Sequence, residues 1–230
     1  MKTMGLIGGL SWSSTAVYYR ELNERVQARL GDRHSARLVL WSVDFAEHLR
    51  LHDTEGWPAV AEETVDIGLR LRAAGAEFLM FCVNTLHLVA DQVEERVGLP
   101  LLHIADATGA AVAGAGLKRV SLLGTRHTMR EAFYRDRLAV NHGIEVIVPE
   151  KTDFQTVDTI IYEELVVDRY EDSSRQAILE IIGRQVAAGA EGIILGCTEL
   201  PQLLADSPVA VPTFDTLRLH AEAAVEEALA

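Results

Sequence analysis

The sequence AAGAEFLMFCVNT at residues 73–85 recurs as AAGAEGIILGCTE at residues 187–199. In each copy a glycine follows a helix-like segment, and an apolar run of strand length then ends in polar residues. The two glycines, Gly75 and Gly189, lie 114 residues apart. A repeat of this length predicts two halves of the same construction.

The repeat divides the chain into residues 1–100 and 101–210, and residues 211–230 are predicted to pack back on the first half. Predicted strands cover residues 5–9, 38–43, 78–83, 101–104, 120–124, 144–148, 192–196 and 209–214. Predicted helices cover residues 14–30, 58–73, 86–97, 129–140, 157–166, 174–188 and 216–229. Such alternation predicts an α/β fold in which each half is a mostly parallel sheet flanked by helices.

Ligands of open α/β sheets bind beyond the carboxyl ends of the strands. Two pseudo-symmetric halves are therefore expected to hold a substrate in a cleft between them. The polar segments that follow the strands are its predicted lining: residues 8–14, 82–85, 124–128 and 196–199.

The charge balance excludes several classes of partner. The chain carries 34 acidic and 21 basic residues and a formal charge of −13, the wrong sign for binding nucleic acid or an anionic membrane. No stretch approaches the ~20 apolar residues of a membrane span, and the sequence begins without a recognisable leader. We therefore expect a cytoplasmic protein that binds a small molecule.

The cysteine and lysine counts argue against a bound cofactor. Two cysteines, Cys82 and Cys197, are too few for a disulfide framework or a cysteine-based zinc site. Only three lysines occur, and none follows a strand in the manner of a Schiff-base lysine. Neither a metal nor pyridoxal phosphate is expected.

The histidines can be interpreted either as structural residues or as functional ones. His48 and His52 are four residues apart beside Asp53, a spacing that could hold a metal on a helix, but without an HExxH context a solvated pair is favoured. His87 and His103 are interpreted as core histidines whose ring nitrogens are satisfied.

Cys197 is the residue most strongly indicated for chemistry. It ends an apolar strand, and Thr198 and Glu199 lead into a helix with Pro201 in its first turn. A thiol at a helix N-terminus is expected to have a lowered pKa. The alternative is a small buried core residue, but Gly196 before it and the polar residues after it favour a site.

Other strand ends carry groups that suit a carboxylate. Asn84 and Thr85 follow one strand, and Thr125 and Thr198 follow two others. Each could instead be only a helix cap. The loop at residues 8–14 is neither a P-loop nor a GxGxxG motif, so a nucleotide is not indicated.

Motifs along nearly the whole chain resemble those of the cofactor-independent aspartate/glutamate racemases. They are GGLSW at 8–12, YY at 18–19, SVDF at 42–45, NTLH at 84–87, HIADAT at 103–108, LLGT at 122–125, IYEEL at 161–165, GCTE at 196–199 and FDT at 214–216. The resemblance implies two pseudo-symmetric α/β halves, a homodimer, and a small amino-acid or carboxylate substrate.

The resemblance also implies a mechanism with one thiol on each face of the substrate α-carbon and no cofactor. It makes Cys197 one of these thiols. Hydrogen bonds to the α-carboxylate would stabilise the enolate-like species. The candidate substrate-binding residues are Leu10, Ser11, His52, Val83, Asn84, Thr85, Thr125, Thr198 and Glu199. Arg169 is the candidate partner of a side-chain carboxylate, although Asp168 precedes it where the family often has glycine.

The second thiol departs from the family pattern. In the family it immediately precedes Asn-Thr, where this chain has Val83, with Cys82 one residue earlier. The repeat also pairs Val83 with Cys197, and strand alternation is expected to turn Cys82 toward the core unless a bulge re-aims it.

Three hypotheses therefore stay open. The first is an amino-acid racemase or epimerase that uses Cys197 with an atypical second group, such as Cys82, a water or a hydroxyl. The second is a single-thiol carbanion enzyme: a decarboxylase, lyase or isomerase. The third is a ligand-binding protein without turnover.

Overall fold

The computed structural model describes residues 1–205 and 207–230, which form two compact units. The first comprises residues 1–104 and 220–230, and the second residues 105–219. Both boundaries differ from those predicted. Leu101 forms a parallel bridge to Leu79 in the first sheet, and Thr213–Asp215 is a strand of the second sheet. Of the final segment, only the part from His220 onward belongs to the first unit.

The first unit is built around three parallel strands that precede helical segments. Its elements are β1 (Met4–Gly8), α1 (Trp12–Leu30), β2 (Leu38–Ser42), α2 (Phe45–Ala73), β3 (Phe78–Phe81), a 3₁₀ helix (Thr85–Val89) and α3 (Ala90–Val97).

The second unit repeats this alternation. The elements that follow are α4 (Ile104–Gly114), β4 (Arg119–Gly124), α5 (Arg126–Arg130), α6 (Ala132–His142), β5 (Glu145–Ile147), α7 (Lys151–Glu163), a 3₁₀ turn (Leu165–Val167), α8 (Asp172–Ala187), β6 (Gly192–Gly196), α9 (Leu200–Leu203), β7 (Thr213–Asp215) and α10 (Thr216–Leu229). Within residues 1–205 and 207–230, none of these helices is both long and apolar enough to cross a membrane.

The two sheets have the same strand order. The first runs β2-β1-β3, and the bridge between Leu79 and Leu101 continues it beyond β3. The second runs β5-β4-β6-β7. All of these pairings are parallel, and β1, β3 and β6 are buried along their whole length. The predicted α/β class with two parallel sheets is confirmed.

The repeated sequence forms the same local structure in both units. Gly75 and Gly189 have φ angles of 95° and 96°, in the left-handed region that favours glycine. Two residues further on, Oε2 of Glu77 accepts a hydrogen bond from the Thr3 amide, and Oε2 of Glu191 accepts one from the Arg119 amide. Each copy therefore turns the chain from a helix into a strand in the same way.

Several predicted elements differ from those observed. The single helix expected at residues 129–140 is two helices, α5 and α6, and the strand expected at residues 209–214 is observed as Thr213–Asp215. The strand expected at residues 101–104 makes only the bridge at Leu101, because α4 begins at Ile104. The strand expected to reach residue 83 ends at Phe81. The helix expected from residue 58 begins at Phe45 and bends at Gly56, where φ is 74°.

Candidate active site

The thiol of Cys197 lies directly after β6 and next to a carboxylate. Its Sγ atom donates a hydrogen bond to Oε2 of Glu199 at 3.1 Å. The hydroxyl of Thr198 donates to the same oxygen at 2.7 Å. All three side chains are buried. The predicted cluster GCTE thus brings a thiol, a hydroxyl and a carboxylate together around one oxygen atom.

Two glycine residues allow the ends of β4 and β6 to lie close together beside this thiol. Gly124 at the end of β4 pairs with Gly196 at the end of β6. A Cβ atom at Gly124 would lie 2.8 Å from the carbonyl oxygen of Gly196, closer than real Cβ atoms approach backbone. The sequence therefore needs glycine there to keep the strand ends, and the residues that follow them, in contact.

The expected lowering of the Cys197 pKa is wrong. Burial raises the pKa of this thiol well above its usual value, and the nearby charge of Glu199 raises it further. Hydrogen bonds from the Glu199 and Leu200 amides act in the opposite direction but are outweighed. The helix that begins at Leu200 has only four residues, so its dipole is small. Cys197 therefore rests as a thiol.

Tyr170 contacts the helix that follows the thiol, and the sequence does not single it out. Its hydroxyl donates to Oε1 of Gln202, in α9, at 2.9 Å. Burial raises the pKa of Tyr170 well above its usual range, and a hydrogen bond to Asp168 and the charges of Asp168 and Glu199 add to the increase. No spacing rule predicts this contact, because Tyr170 lies on a connection between α7 and α8.

The segment around Arg169 includes a residue with a left-handed backbone conformation. Asp168 has a φ angle of 61°, in the left-handed region where glycine is the usual residue. The exposed Arg169 guanidinium donates to the backbone carbonyl oxygen of Glu163. Its predicted contact with a substrate carboxylate stays a prediction.

Thr125, at the end of β4, is the N-cap of α5. Its Oγ1 atom accepts a hydrogen bond from the Thr128 amide at 3.4 Å, and the two hydroxyl oxygens lie 3.1 Å apart. The capping interpretation of this residue is confirmed. As the N-cap, Thr125 is still a polar residue at the end of β4, directly after Gly124, which pairs with Gly196.

In the first unit, Leu10 and Ser11 form the tight connection from β1 to α1. Gly9 has a φ angle of 90°, and a Cβ atom there would lie 2.2 Å from the Val43 carbonyl oxygen. The Gly9 amide donates to Oγ1 of Thr15 at 2.9 Å. Ser11 caps α1 by accepting from the Ser14 amide.

Extended beyond the end of β3 at Phe81, the sheet registers lead to Val83 as the counterpart of Cys197. β1 pairs Met4 with Phe78, and β4 pairs Val120 with Gly192. Counting five residues forward from Phe78 and from Gly192 leads to Val83 and Cys197. This agrees with the 114-residue repeat in the sequence. Val83 is half-buried and packs against the apolar core of the first unit.

Cys82 lies one position earlier and directly follows β3. Its amide donates to the carbonyl oxygen of Ile7 at 2.8 Å, and its side chain is 2% exposed. Burial raises the pKa of its thiol far above the usual value. A thiol in this setting is protonated and shielded at neutral pH.

Asn84 and Thr85 begin the 3₁₀ helix after this strand, and His87 ties the turn to its surroundings. The His87 Nδ1 atom lies 3.0 Å from the Val83 carbonyl oxygen and 3.2 Å from that of Asn84. Its Nε2 atom accepts from the Ile104 amide at 3.2 Å. The interpretation of His87 as a core histidine with satisfied nitrogens is confirmed, and His103 is buried beside it.

The pair His48 and His52 does not form a metal site. His48 contacts Oε2 of Glu63 at 3.0 Å, whereas His52 contacts Oδ1 of Asp53 at 3.2 Å. The His48 side chain is only 11% exposed, so the expectation of a solvated pair is wrong for that residue. In the described part of the chain, no group of three or more His, Cys, Asp and Glu side chains could hold a metal ion. The role of His52 in substrate binding stays a prediction.

Comparison with known proteins gives the class to which this fold and cluster belong. The sequence model of the Asp/Glu/hydantoin racemases matches residues 7–224, so the chain belongs to that family. The broad specificity amino-acid racemase RacX of Bacillus subtilis (strain 168) is 24% identical over 99% of this chain and 98% of its own length.

Two solved structures resemble the chain over its whole length. A Yersinia pestis protein of the Asp/Glu racemase type is 47% identical, with a TM-score of 0.93 and complete coverage of both chains. An aspartate racemase homologue from Pyrococcus horikoshii OT3 is 33% identical, with a TM-score of 0.84 and complete coverage of both chains. Family membership supports an amino-acid racemase activity, and racemases are isomerases.

Proposed function

We propose that the protein is a cofactor-independent racemase or epimerase of aspartate, glutamate or a related amino acid, with Cys197 as its main acid and base. The observation that carries this proposal is the hydrogen bond from the Cys197 thiol to the Glu199 carboxylate. A buried thiol needs a partner to take its proton before it can act as a base. Glu199 is a carboxylate in contact with that proton.

In the proposed reaction the S–H proton moves to Glu199 as substrate binds. The resulting thiolate then takes the α-proton: the C–H bond breaks, an S–H bond forms, and the electron pair stays on the substrate as an enolate. Hydrogen-bond donors around the α-carboxylate stabilise that charge, since no cofactor delocalises it. The proposed substrate-binding residues are Thr125, Thr198, Asn84 and Thr85, with Leu10 and Ser11 as proposed neighbours.

Return of a proton to the opposite face needs a second group, and Val83 has none to give. A water or a nearby hydroxyl is the proposed donor, because the burial of the Cys82 side chain argues against its thiol. The oxyanion that the donor leaves behind then takes the proton held by Glu199. The burial of Cys82 also favours a second candidate function, a single-thiol decarboxylase, lyase or isomerase. Either reaction passes through the same Cys197 chemistry.

The proposal extends to the setting of the protein. It includes a cytoplasmic homodimer that uses neither metal nor pyridoxal phosphate. The resemblance described in the sequence analysis supports the homodimer, and the acidic chain composition fits a small-molecule enzyme. Chelators are expected to leave the rate unchanged.

Proton NMR in deuterium oxide with a panel of amino acids tests the proposed function. Loss of the α-proton signal together with inversion, followed on a chiral column, is the expected result for aspartate, glutamate or a close relative. Exchange without inversion would favour the single-thiol class. The absence of both exchange and inversion with every amino acid in the panel would contradict the proposed activity and favour a binding protein.

A further inference from the structure

The His87 ring contacts three backbone groups of the first unit, two in the turn after β3 and one at the start of α4. Its Nδ1 atom lies within hydrogen-bond distance of the carbonyl oxygens of Val83 and Asn84, and its Nε2 atom accepts from the Ile104 amide. Carbonyl oxygens only accept, so Nδ1 must carry the proton. An amide N–H only donates, so Nε2 must be unprotonated. The ring is therefore a fixed neutral tautomer that uses both nitrogens.

The surroundings of this ring keep it in place. It is 2% exposed and packs against the rings of Phe81, His103 and His220, with centroids 5.1, 4.6 and 5.7 Å away. Burial and the neighbouring histidines lower the pKa of His87 well below its usual value, which agrees with the neutral form that the hydrogen bonds require. The side chain is rigid and does not change its charge near neutral pH.

The two carbonyl contacts set the direction of the peptide groups that follow β3. In a planar trans peptide the N–H points opposite to the C=O. Carbonyls of Val83 and Asn84 that point toward His87 therefore turn the amides of Asn84 and Thr85 to the other side of the chain. Loss of the ring would free the Val83 carbonyl and would leave the Asn84 carbonyl with the hydrogen bond from the His87 backbone amide at 3.1 Å.

We propose that His87 is the positioning residue of the Val83–Asn84 turn, which it holds in the orientation that presents Asn84 and Thr85 to the substrate carboxylate. The inference rests on the proposed function, because it takes these two residues as substrate-binding groups. His87 itself touches no substrate. It acts through the two carbonyl oxygens that accept its Nδ1 proton.

Two amide substitutions distinguish the hydrogen bonds of Nδ1 from that of Nε2. His87→Asn keeps a donor near the Nδ1 position and loses the acceptor for Ile104. His87→Gln keeps an acceptor near the Nε2 position and loses the donor to the turn. Tyr18→Phe is the matched control, since it removes a buried hydrogen bond to Nδ1 of His220 in the same histidine cluster without touching the turn.

Steady-state kinetics on the purified full chain give the first test. His87→Gln is expected to raise KM at least tenfold while kcat changes less than threefold. His87→Asn and Tyr18→Phe are expected to keep both constants within threefold of the parent protein. Equal increases of KM in His87→Gln and Tyr18→Phe would overturn the proposal, and so would an equally large increase in His87→Asn.

Hydrogen exchange measured by mass spectrometry tests the same inference without any turnover. Peptides that cover residues 82–90 are expected to exchange at least tenfold faster in His87→Gln, and within threefold of the parent in His87→Asn and Tyr18→Phe. Equal acceleration in His87→Gln and Tyr18→Phe would overturn the proposed role. If the parent protein turns over no amino acid, the proposed function fails, and the exchange rates alone decide the role of His87.

Discussion

The Sγ atom of Cys197 lies 3.1 Å from Oε2 of Glu199 and donates a hydrogen bond to it. This pair has two opposing effects. The carboxylate charge raises the pKa of the thiol and keeps it protonated at rest. In the proposed reaction the same carboxylate accepts the proton when the thiol becomes a base. On this proposal the reactivity of Cys197 depends on Glu199 more than on a helix dipole.

Glu199→Gln is expected to separate these two effects. Without the negative charge the pKa of the Cys197 thiol falls, so alkylation by iodoacetamide at neutral pH becomes faster. Turnover is expected to fall by about 10²-fold, because the proton acceptor is gone. The pH profile of alkylation and the racemisation rate are the measurements.

Glu163→Gln is the control for this variant, since Glu163 is an exposed carboxylate of the same unit. It is expected to change neither quantity. An unchanged alkylation profile in Glu199→Gln would show that the charge of Glu199 does not govern the thiol.

Val83→Cys is expected to supply the second thiol. The sheet registers give Val83 the position that corresponds to Cys197, so a thiol there restores the family arrangement. We expect the ratio of inversion to α-proton exchange to rise, as measured by NMR in deuterium oxide combined with chiral chromatography.

Cys82→Ala is the comparison for Val83→Cys. It is expected to lower the free energy of unfolding by about 1 kcal/mol, typical of a small core residue, and to leave exchange and inversion intact. Loss of inversion in Cys82→Ala would instead assign the second thiol to Cys82 and contradict the register argument.

His220 is expected to make the protein sensitive to acid. Its Nδ1 atom lies 3.0 Å from the Tyr18 hydroxyl, its Nε2 atom lies 2.9 Å from the Leu102 carbonyl oxygen, and burial lowers its pKa to about 4. An unfolded histidine has a pKa of about 6.5, so the unfolded chain binds more protons between these values. The contribution of His220 to stability is complete above about pH 6.5 and is lost as the pH falls toward 4.

Urea unfolding at pH 7.5 and pH 4.5 measures this effect. The full contribution is on the order of 3 kcal/mol. His220→Gln, which does not titrate, is expected to lose less stability between the two pH values than the parent protein. Identical losses in the two proteins would show that His220 does not carry the acid sensitivity. His87, which is also buried and neutral, contributes its own acid sensitivity to the parent protein and to His220→Gln.

The internal repeat explains why much of the fold could be predicted. The glycine turns at Gly75 and Gly189 and the apolar strands after them are local signals, and the structure places the same turn at each. The equivalence of Val83 and Cys197 follows from the same repeat. The local sequence does not predict the structure of residues 101–104, because the bridge at Leu101 and the start of α4 depend on neighbours distant in sequence.

The chemistry around the thiol could be predicted only in part. The motif GCTE identifies Cys197, Thr198 and Glu199, but the direction of the thiol pKa depends on burial and on where the Glu199 side chain turns. Tyr170 contacts Gln202, in the helix after this cluster, from a connection between helices where no periodicity indicates contact. The hydrogen bonds of His87 to Val83 and Asn84 also depend on a turn whose geometry the sequence does not fix.

Cys197→Ala tests the central claim most directly, by proton NMR of amino acids in deuterium oxide with Cys82→Ala as the matched control. The account predicts that Cys197→Ala lowers α-proton exchange by at least about 10²-fold, the effect of losing a general base, while Cys82→Ala exchanges at the parent rate. Exchange at the parent rate in a folded Cys197→Ala protein would contradict the claim that this thiol carries the reaction.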